Sequence, residues 1–440
     1  MESKNYTYQK NKNFWLTLDN AAKIYPAILS DELTAVFRIS AVLKEPIKIK
    51  NLLKAVNSIE GRFPYYKVQI KKGFFWYYLE HIDLPISVEV DNNIQCRKFQ
   101  KGRLMFRILV LKNRISIEFS HILTDGSGAF EFFKSLLVLY FKECGATIPK
   151  DFNFLRPHDI VSEEEFEDSY NRYFKENIPP MVKQSRAFHL PYSLKPIPRF
   201  DALNIILSLK EIKNKATDKA ANITIYLISI YLLILQEIYE NLNILSRYKK
   251  KKLLRIQVPV NLRNIYPSKT MRNFSLFVMP QIDLRLGHYT FDEIIKTVYH
   301  QIHLETDEKL INKNISRNVG YEKKLFIRGI PLFLKSIILN FKYYSLGTSQ
   351  YSGVLTNLGM VTFPSEISKL IDYFILTPPP PNKILKVSCG VIGFNDKLVL
   401  SFGNITRSKE FERKFVRFLN GEGLNSKITT YIAKKDYDIL

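Results

Sequence analysis

The residues best suited to proton-transfer chemistry stand together in the stretch SHILTDGSG, residues 120–128. His121 is followed four residues later by Asp125 and then by Gly126. A neutral imidazole can accept a proton from a hydroxyl or an amine, and a nearby aspartate can hold the turn that presents it. The same spacing also fits a packed core histidine followed by an ordinary helix N-cap, so the residues alone leave both interpretations open.

The flanking residues predict a strand that leads through this turn into a helix. In residues 114–120, isoleucine and phenylalanine alternate with polar residues, which is typical of a strand and directs His121 toward the interior. After Gly128, apolar residues recur every three or four positions, as on the buried face of a helix. We therefore expect a rigid strand-to-helix junction, with Asp125 placed to cap the N-terminus of the helix.

Four further short stretches, one before this motif and three after it, are informative because of their order along the chain. They are GRFPYY at 61–66, VPVNLR at 258–263, RNF at 272–274 and TNLG at 356–359. Together with the HxxxDG pattern at 121–126, they make the sequence resemble the CoA-dependent acyltransferase superfamily, in particular its bacterial alcohol acetyltransferase-like members. This superfamily also includes chloramphenicol acetyltransferases and the condensation domains of nonribosomal peptide synthetases. Ser120 stands where condensation domains have the first of two histidines.

The resemblance implies an α/β (α+β) fold of two chloramphenicol acetyltransferase-like subdomains, each a mixed sheet covered by helices. The active-site channel would lie between them. Strand and helix patterns alternate in both halves of the 440 residues, and a Pro-containing irregular segment separates them. We therefore predict an N-terminal subdomain over 1–175, a crossover linker over 176–200 and a C-terminal subdomain over 201–440.

The resemblance also implies roles for individual residues. His121 would be the general base and Gly126 part of its turn, whereas Asp125 would be structural and would pair with an arginine. Arg263 is the first candidate for that partner and Arg62 the second. Thr356 and Asn357 are possible donors to the oxyanion of the tetrahedral intermediate, although a simple strand-end turn before Gly359 explains them equally well.

The resemblance implies no bound cofactor, because acyl-CoA or a phosphopantetheine thioester acts as co-substrate. We expect no metal site either, since His300 and His303 share a helix face without a third ligand at a suitable spacing. The formal charge is +23, but the basic residues are mostly scattered, which argues against nucleic acid as a partner. The run Lys249–Lys252 predicts a solvated loop, with binding of CoA phosphates or an acidic carrier protein as the alternative.

The function that fits these residues is acyl-CoA-dependent O-acyl transfer to a small-molecule alcohol. One alternative is a condensation-type reaction, with a carrier-bound thioester or an amine acceptor. Another is a non-catalytic binding member of the same fold. Three widely spaced cysteines and the absence of an apolar signal-like segment near the N-terminus predict a cytoplasmic protein, which we expect to be monomeric.

Two apolar stretches raise the question of a membrane. Residues 223–238 are fewer than the roughly 20 needed to span a bilayer, so we expect a buried helix. Residues 325–346 are interrupted by Arg328, Lys335 and Lys342, which fits an amphipathic helix better than a span. Peripheral membrane contact through this second stretch, with lipid-like substrates, is a further hypothesis.

Overall fold

A computed structural model describes residues 14–180 and 184–430. Its strands are β1 (Trp15–Thr17), β2 (Val36–Leu43), β3 (Val68–Lys72), β4 (Tyr77–His81), β5 (Val88–Val90), β6 (Phe106–Leu111), β7 (Arg114–Ser120), β8 (Asp201–Ser208), β9 (Leu253–Asn261), β10 (Ser275–Val278), β11 (Gln281–Asp283), β12 (Gly353–Val361), β13 (Ile371–Thr377), β14 (Val387–Phe394), β15 (Lys397–Asn404) and β16 (Lys427–Thr430).

The α-helices are α1 (Tyr25–Ile28), α2 (Ile49–Ile59), α3 (Gly126–Glu143), α4 (Ser169–Arg172), α5 (Leu209–Asp218), α6 (Ile223–Glu240), α7 (Ile244–Lys249), α8 (Phe291–Glu305), α9 (Glu308–Lys323), α10 (Leu325–Gly329), α11 (Leu332–Lys342), α12 (Ser365–Ser368) and α13 (Glu410–Gly421). Strands and helices alternate in both halves, which confirms the predicted α/β (α+β) class.

The N-terminal half is built on a five-stranded mixed sheet in the order β13-β2-β7-β6-β5, beside a small β1-β4-β3 sheet. Helices α2 and α3 pack together, and their apolar residues share one core with β2 and β7. Aromatic side chains dominate this core at the centre of the sheet, where Phe106 stacks on Phe119 and Phe132 meets both rings edge-on. The strand that carries the predicted base therefore rests on a tightly packed support.

The C-terminal half is built on a larger sheet in the order β10-β9-β12-β14-β15-β8-β16, with β11 also paired to β9. Helix α6 fills its core because apolar residues surround the whole helix, and Asn222 caps its start by accepting from the backbone N–H of Ile225 at 2.9 Å. By length and composition α6 passes the test for a membrane-spanning helix among the described residues, but 72% of that window is buried inside the protein. Its burial identifies it as a core helix.

One strand of the C-terminal half pairs with the sheet of the N-terminal half. Strand β13 lies in the predicted C-terminal subdomain, yet it pairs antiparallel with β2, with Ile375 opposite Ser40. The crossover packs against the C-terminal half, since the backbone N–H of Phe188 donates to the carbonyl of Leu253 at 2.7 Å. Residues 371–377, predicted as part of the C-terminal subdomain, therefore form an edge strand of the N-terminal sheet.

Proline breaks two stretches of the C-terminal half. The helix predicted over 325–346 is two helices, α10 and α11, because Pro331 lacks a backbone N–H and disfavours helical geometry at Ile330. The extended stretch 275–283 is interrupted at Pro280 and forms two strands, β10 and β11, which pair with different parts of β9.

Candidate active site

The stretch 120–128 is a strand-to-helix turn fixed at both ends. Strand β7 ends at Ser120 and α3 begins at Gly126. The backbone N–H of His121 donates to the carbonyl of Ala35 at 2.9 Å, so the strand pairing continues to the histidine itself. Ile122 and Leu123 are buried and anchor the middle of the turn. The backbone is thus held where the histidine leaves the sheet.

The His121 ring lies between aromatic side chains while part of the residue stays exposed. Tyr25 stacks on it at 5.5 Å between ring centroids, and Phe37 lies at 4.6 Å. Nδ1 is 3.2 Å from the carbonyl oxygen of Thr124, which can only accept, so Nδ1 carries the proton and Nε2 the lone pair. Burial lowers the pKa of His121, against an opposing effect of the Asp125 charge. The ring is therefore neutral at neutral pH.

Asp125 uses its carboxylate to hold the turn and to join the two halves. Oδ1 accepts from the N–H of Gly128 at 3.0 Å, which caps α3. Oδ2 accepts from Arg263 at 2.9 Å and from the N–H of Phe274 at 2.7 Å. Burial alone would raise the pKa of Asp125, but the Arg263 charge and these hydrogen bonds hold it below its ordinary value. Asp125 is thus ionised and fully engaged.

Arg263 is fixed by its own half of the molecule. Its Nε donates to the carbonyl of Thr270 at 3.1 Å and its Nη2 to the carbonyl of Arg272 at 2.5 Å. The guanidinium is therefore already oriented when it meets Asp125. The structure places the first of the two candidate arginines, Arg263, at the aspartate.

Arg62, the second candidate, has a different partner. Its guanidinium donates to both carboxylate oxygens of Glu165, at 2.7 and 3.0 Å, and the Tyr65 hydroxyl donates to the same carboxylate at 2.9 Å. This bidentate pair lies within the N-terminal half and does not reach Asp125. The proposed Arg62–Asp125 pairing is therefore wrong, because Glu165 supplies a better-matched carboxylate.

Asn273 links the backbone of His121 to Asp19. This contact between the two halves was not expected from the sequence. The Asn273 amide donates to the backbone carbonyl of His121 at 2.9 Å and to the Asp19 carboxylate at 3.0 Å. Burial raises the pKa of Asp19 to about 6, while Arg272 acts in the opposite direction. Residues 272–274 were recognised as a motif, and this contact is a physical reason for the asparagine at its centre.

The two glycines at the start of α3 differ in what they tolerate. A side chain at Gly126 would meet Leu358 at 3.4 Å, which is ordinary contact, and the residue does not adopt a positive φ. A side chain at Gly128 would lie 2.2 Å from the Thr124 hydroxyl and 2.7 Å from the Met271 carbonyl. The turn therefore requires glycine at position 128 more than at position 126, although the resemblance assigned the turn to Gly126.

Thr356 and Asn357 point to opposite faces of β12. The Asn357 amide donates to the Thr224 hydroxyl at 2.9 Å, and its oxygen accepts the N–H of Gly359 at 2.8 Å. The oxygen of Asn357 and one of its two amide N–H groups are thus used, in a turn and against α6, which gives this residue a structural role. Thr356 stands two residues before Leu358, which lies beside Gly126, and the pairing register of β12 shifts between Asn357 and Met360.

A cavity of about 410 Å³ adjoins the start of α3 and lies between the two halves. Ser127 and Gly128 line it from the N-terminal half, and Arg263 and Met271 line it from the C-terminal half.

Among the described residues, no three groups able to ligate a metal are clustered. His303, one of the two helical histidines, contacts the Tyr299 carbonyl through Nδ1 at 2.8 Å.

No family model matches this sequence, and no curated protein matches it significantly. Solved structures do match. TRI3 trichothecene 15-O-acetyltransferase from Fusarium sporotrichioides superposes with a TM-score of 0.60 at 10% identity, over 93% of this chain and 95% of that one. The starter condensation domain of rhizomide synthetase RzmA gives 0.51 at 11% identity, over 93% and 96%.

The nonribosomal peptide synthetase FmoA3 gives a TM-score of 0.58 at 13% identity, over 95% of this chain but only 43% of FmoA3. These identities are too low to transfer an activity, but the coverage extends through both halves. The resemblance inferred from the motifs is therefore confirmed at the level of the fold. The chain has the fold that these solved acetyltransferase and condensation-domain structures share.

Proposed function

We propose that this chain transfers an acyl group from a thioester to an acceptor hydroxyl, with His121 as general base. The observation that carries the proposal is the state of the His121 ring. It is neutral, its Nδ1–H is committed to Thr124, and its Nε2 lone pair lies in a rigid turn where the two halves meet. A general base needs this combination of protonation state and fixed direction.

In the proposed reaction, the acceptor oxygen attacks the thioester carbonyl carbon while its proton passes to Nε2 of His121. The new C–O bond gives a tetrahedral oxyanion. Collapse of this intermediate breaks the C–S bond, and the imidazolium returns the proton to the departing thiolate. The products are an ester and a free thiol, and the histidine is again neutral. No other residue needs to change its protonation state.

The surrounding residues have supporting roles in this proposal. Asp125 and Arg263 hold the histidine turn against the C-terminal half and do not exchange protons with the substrate. We assign the Thr356 hydroxyl to the oxyanion, since it stands in β12 two residues before Leu358, which lies beside Gly126 at the start of α3. A donor aimed at the developing charge typically contributes a factor of about 10²–10³ in rate.

The donor is proposed to be acyl-CoA, whose thioester carbonyl must reach Nε2 of His121. A screen of acetyl-CoA and longer acyl-CoAs against small alcohols and amines, with free thiol as the readout, tests this directly. Acceptor-dependent thiol release supports the proposal. Silence across the whole screen favours a non-catalytic binding protein.

A carrier-bound donor is the second candidate, and two observations favour it. Two of the similar structures belong to nonribosomal peptide synthetases, and the net charge of +23 suits an acidic carrier protein. The same assay with acyl-phosphopantetheine carried on an acidic carrier protein separates the two donors. A preference for the carrier that disappears as salt is raised would identify it as the donor.

A further inference from the structure

Helix α11 presents most of its apolar residues to solvent and buries one of its two lysines, Lys335. Phe333, Ile337 and Phe341 recur on one face and are 66–69% exposed. Leu325 and Phe326 of α10 and Phe74 of the β3–β4 turn extend this face and are 72–83% exposed. We call these six residues the α10–α11 surface. They expose on the order of 800 Å², more than the few hundred Å² of apolar patch usual for a soluble monomer.

Specific contacts hold the helix in this orientation. Lys335, on the opposite face, is only 3% exposed. Its ammonium group donates to the carbonyl of Phe75 at 3.0 Å and lies 3.6 Å from the centre of the Trp76 ring. The backbone N–H of Leu332 donates to the carbonyl of Phe74 at 2.9 Å, which joins the turn to the start of α11. The exposed phenylalanines are therefore a fixed feature of the fold.

Exposed cations border the same surface. Lys323, Lys324, Arg328 and Lys342 are all exposed, and Lys324 and Lys342 both lie within about 6 Å of the Tyr321 ring. The one acidic residue in 321–342, Glu322, is paired with Lys23 and Asn20. Among the residues that the structure describes, none of these four cations is paired with a carboxylate, so the charge next to the apolar face is positive. An apolar face bordered by lysine and arginine matches the acyl-chain and headgroup layers of an anionic bilayer.

We propose that the α10–α11 surface docks the protein on an anionic membrane. The phenylalanines insert at the boundary between headgroups and acyl chains, and the lysines and Arg328 contact lipid phosphates. With 5 and 11 residues, α10 and α11 are far too short to span a bilayer, which takes about 20, so they lie in its interface.

The docked face lies one helix away from the candidate active site. The Asn340 amide of α11 donates to the carbonyl of Ala27 in α1 at 3.2 Å. Helix α1 carries Tyr25, whose ring stacks on His121. Docking therefore places the bilayer on the α1 side of His121. Membrane binding itself does not depend on the proposed acyl transfer, and the two are tested separately.

Co-sedimentation of the full chain with vesicles tests the docking. We expect binding to vesicles of equal phosphatidylcholine and phosphatidylglycerol, and little binding to phosphatidylcholine alone. The double change Phe333→Ser and Phe341→Ser should weaken binding at least about tenfold. Lys324→Gln with Arg328→Gln should weaken it by a similar factor, since each cation near an anionic surface contributes about 1 kcal/mol. The matched control is Val90→Ser with Ile160→Ser, two equally exposed apolar residues away from this surface.

The proposal is overturned if wild-type protein ignores anionic vesicles, or if the control loses binding as much as the Phe333/Phe341 variant. It is also overturned if that variant changes a wild-type dimer into a monomer in light scattering, because the surface would then be a subunit interface. A second measurement fixes the orientation. In a Phe333→Trp variant, brominated phosphatidylglycerol should quench a larger share of the tryptophan fluorescence than in wild type, and equal quenching of the two vesicle-bound proteins contradicts docking through this face.

Discussion

Two turns meet at the candidate site, and they use their polar side chains differently. In the turn after β7, His121 commits one ring nitrogen to Thr124 and keeps a lone pair on the other. In the turn near the end of β12, Asn357 commits its amide nitrogen to Thr224 and its oxygen to Gly359. Leu358 of the second turn lies beside Gly126 of the first. Both stretches carry recognisable motifs, but only the first presents a nitrogen lone pair that can accept a proton.

The comparison separates residues that hold geometry from residues that can react. Asp125 resembles Asn357 more than it resembles His121, because its carboxylate is fully used by Gly128, Arg263 and Phe274. Side chains whose hydrogen-bonding groups are all satisfied contribute stability. The variants below test this division, from the largest expected effect to the smallest.

Asp125→Ala should cause the largest loss of stability. It leaves Arg263 without its buried partner and removes the cap of α3, so we expect the free energy of unfolding to fall by about 3–5 kcal/mol. Urea unfolding measures this, with Asp31→Ala as control because Asp31 is almost fully exposed. An Asp125→Ala protein with wild-type stability but no activity would make the aspartate a catalyst and contradict our assignment.

Thr356→Val should slow turnover without unfolding the protein. If the hydroxyl stabilises the oxyanion, kcat falls by about 10²–10³ while KM and the melting temperature change little. Thr356→Ser keeps the hydroxyl and should stay close to wild type. Equal kcat for the valine and wild-type proteins would remove Thr356 from the mechanism.

Asn357→Ala should show the reverse pattern. The loss of its two hydrogen bonds should lower the free energy of unfolding by about 1–3 kcal/mol, with kcat within a few-fold of wild type once folded. Thermal unfolding and steady-state kinetics together measure this. A drop in kcat as large as that of Thr356→Val, at unchanged stability, would return Asn357 to the list of oxyanion donors.

The pH dependence should show the smallest effect. Burial lowers the pKa of His121 from its ordinary value of 6.5, so the base stays neutral to lower pH than a free imidazole. Activity should be lost only as the pH falls through this lowered pKa, and the acid limb of kcat/KM should therefore lie below 6.5. An acid limb well above 6.5 would assign the titration to another group.

The local part of the site could be predicted from the sequence, because a strand, a turn and a helix follow one another within 30 residues. The Asp125–Arg263 ion pair joins residues 138 apart, and it was expected only through the resemblance. Glu165, which takes Arg62 instead, is 103 residues from it and belongs to no motif. Pairing at such distances depends on the packing of whole elements, which residue patterns do not specify.

The sequence predicts the elements of the fold better than it predicts how distant strands pair. Two sheets with covering helices were expected, yet the place of β13 beside β2 was not, since over 300 residues separate the paired strands. The side of β12 on which Asn357 lies also depended on which face packs against α6. By contrast, the break at Pro331 follows from a local rule and could have been foreseen.

The central claim is that His121 takes the proton from the acceptor, and the most direct test compares two histidine variants in the thiol-release assay. His189 is the matched control, because burial also lowers its pKa and its Nε2 contacts the Thr348 carbonyl at 3.1 Å. We predict that His121→Ala lowers kcat by about 10²–10⁴ while the protein stays folded, and that His189→Ala retains turnover. Full turnover by folded His121→Ala protein would contradict the mechanism.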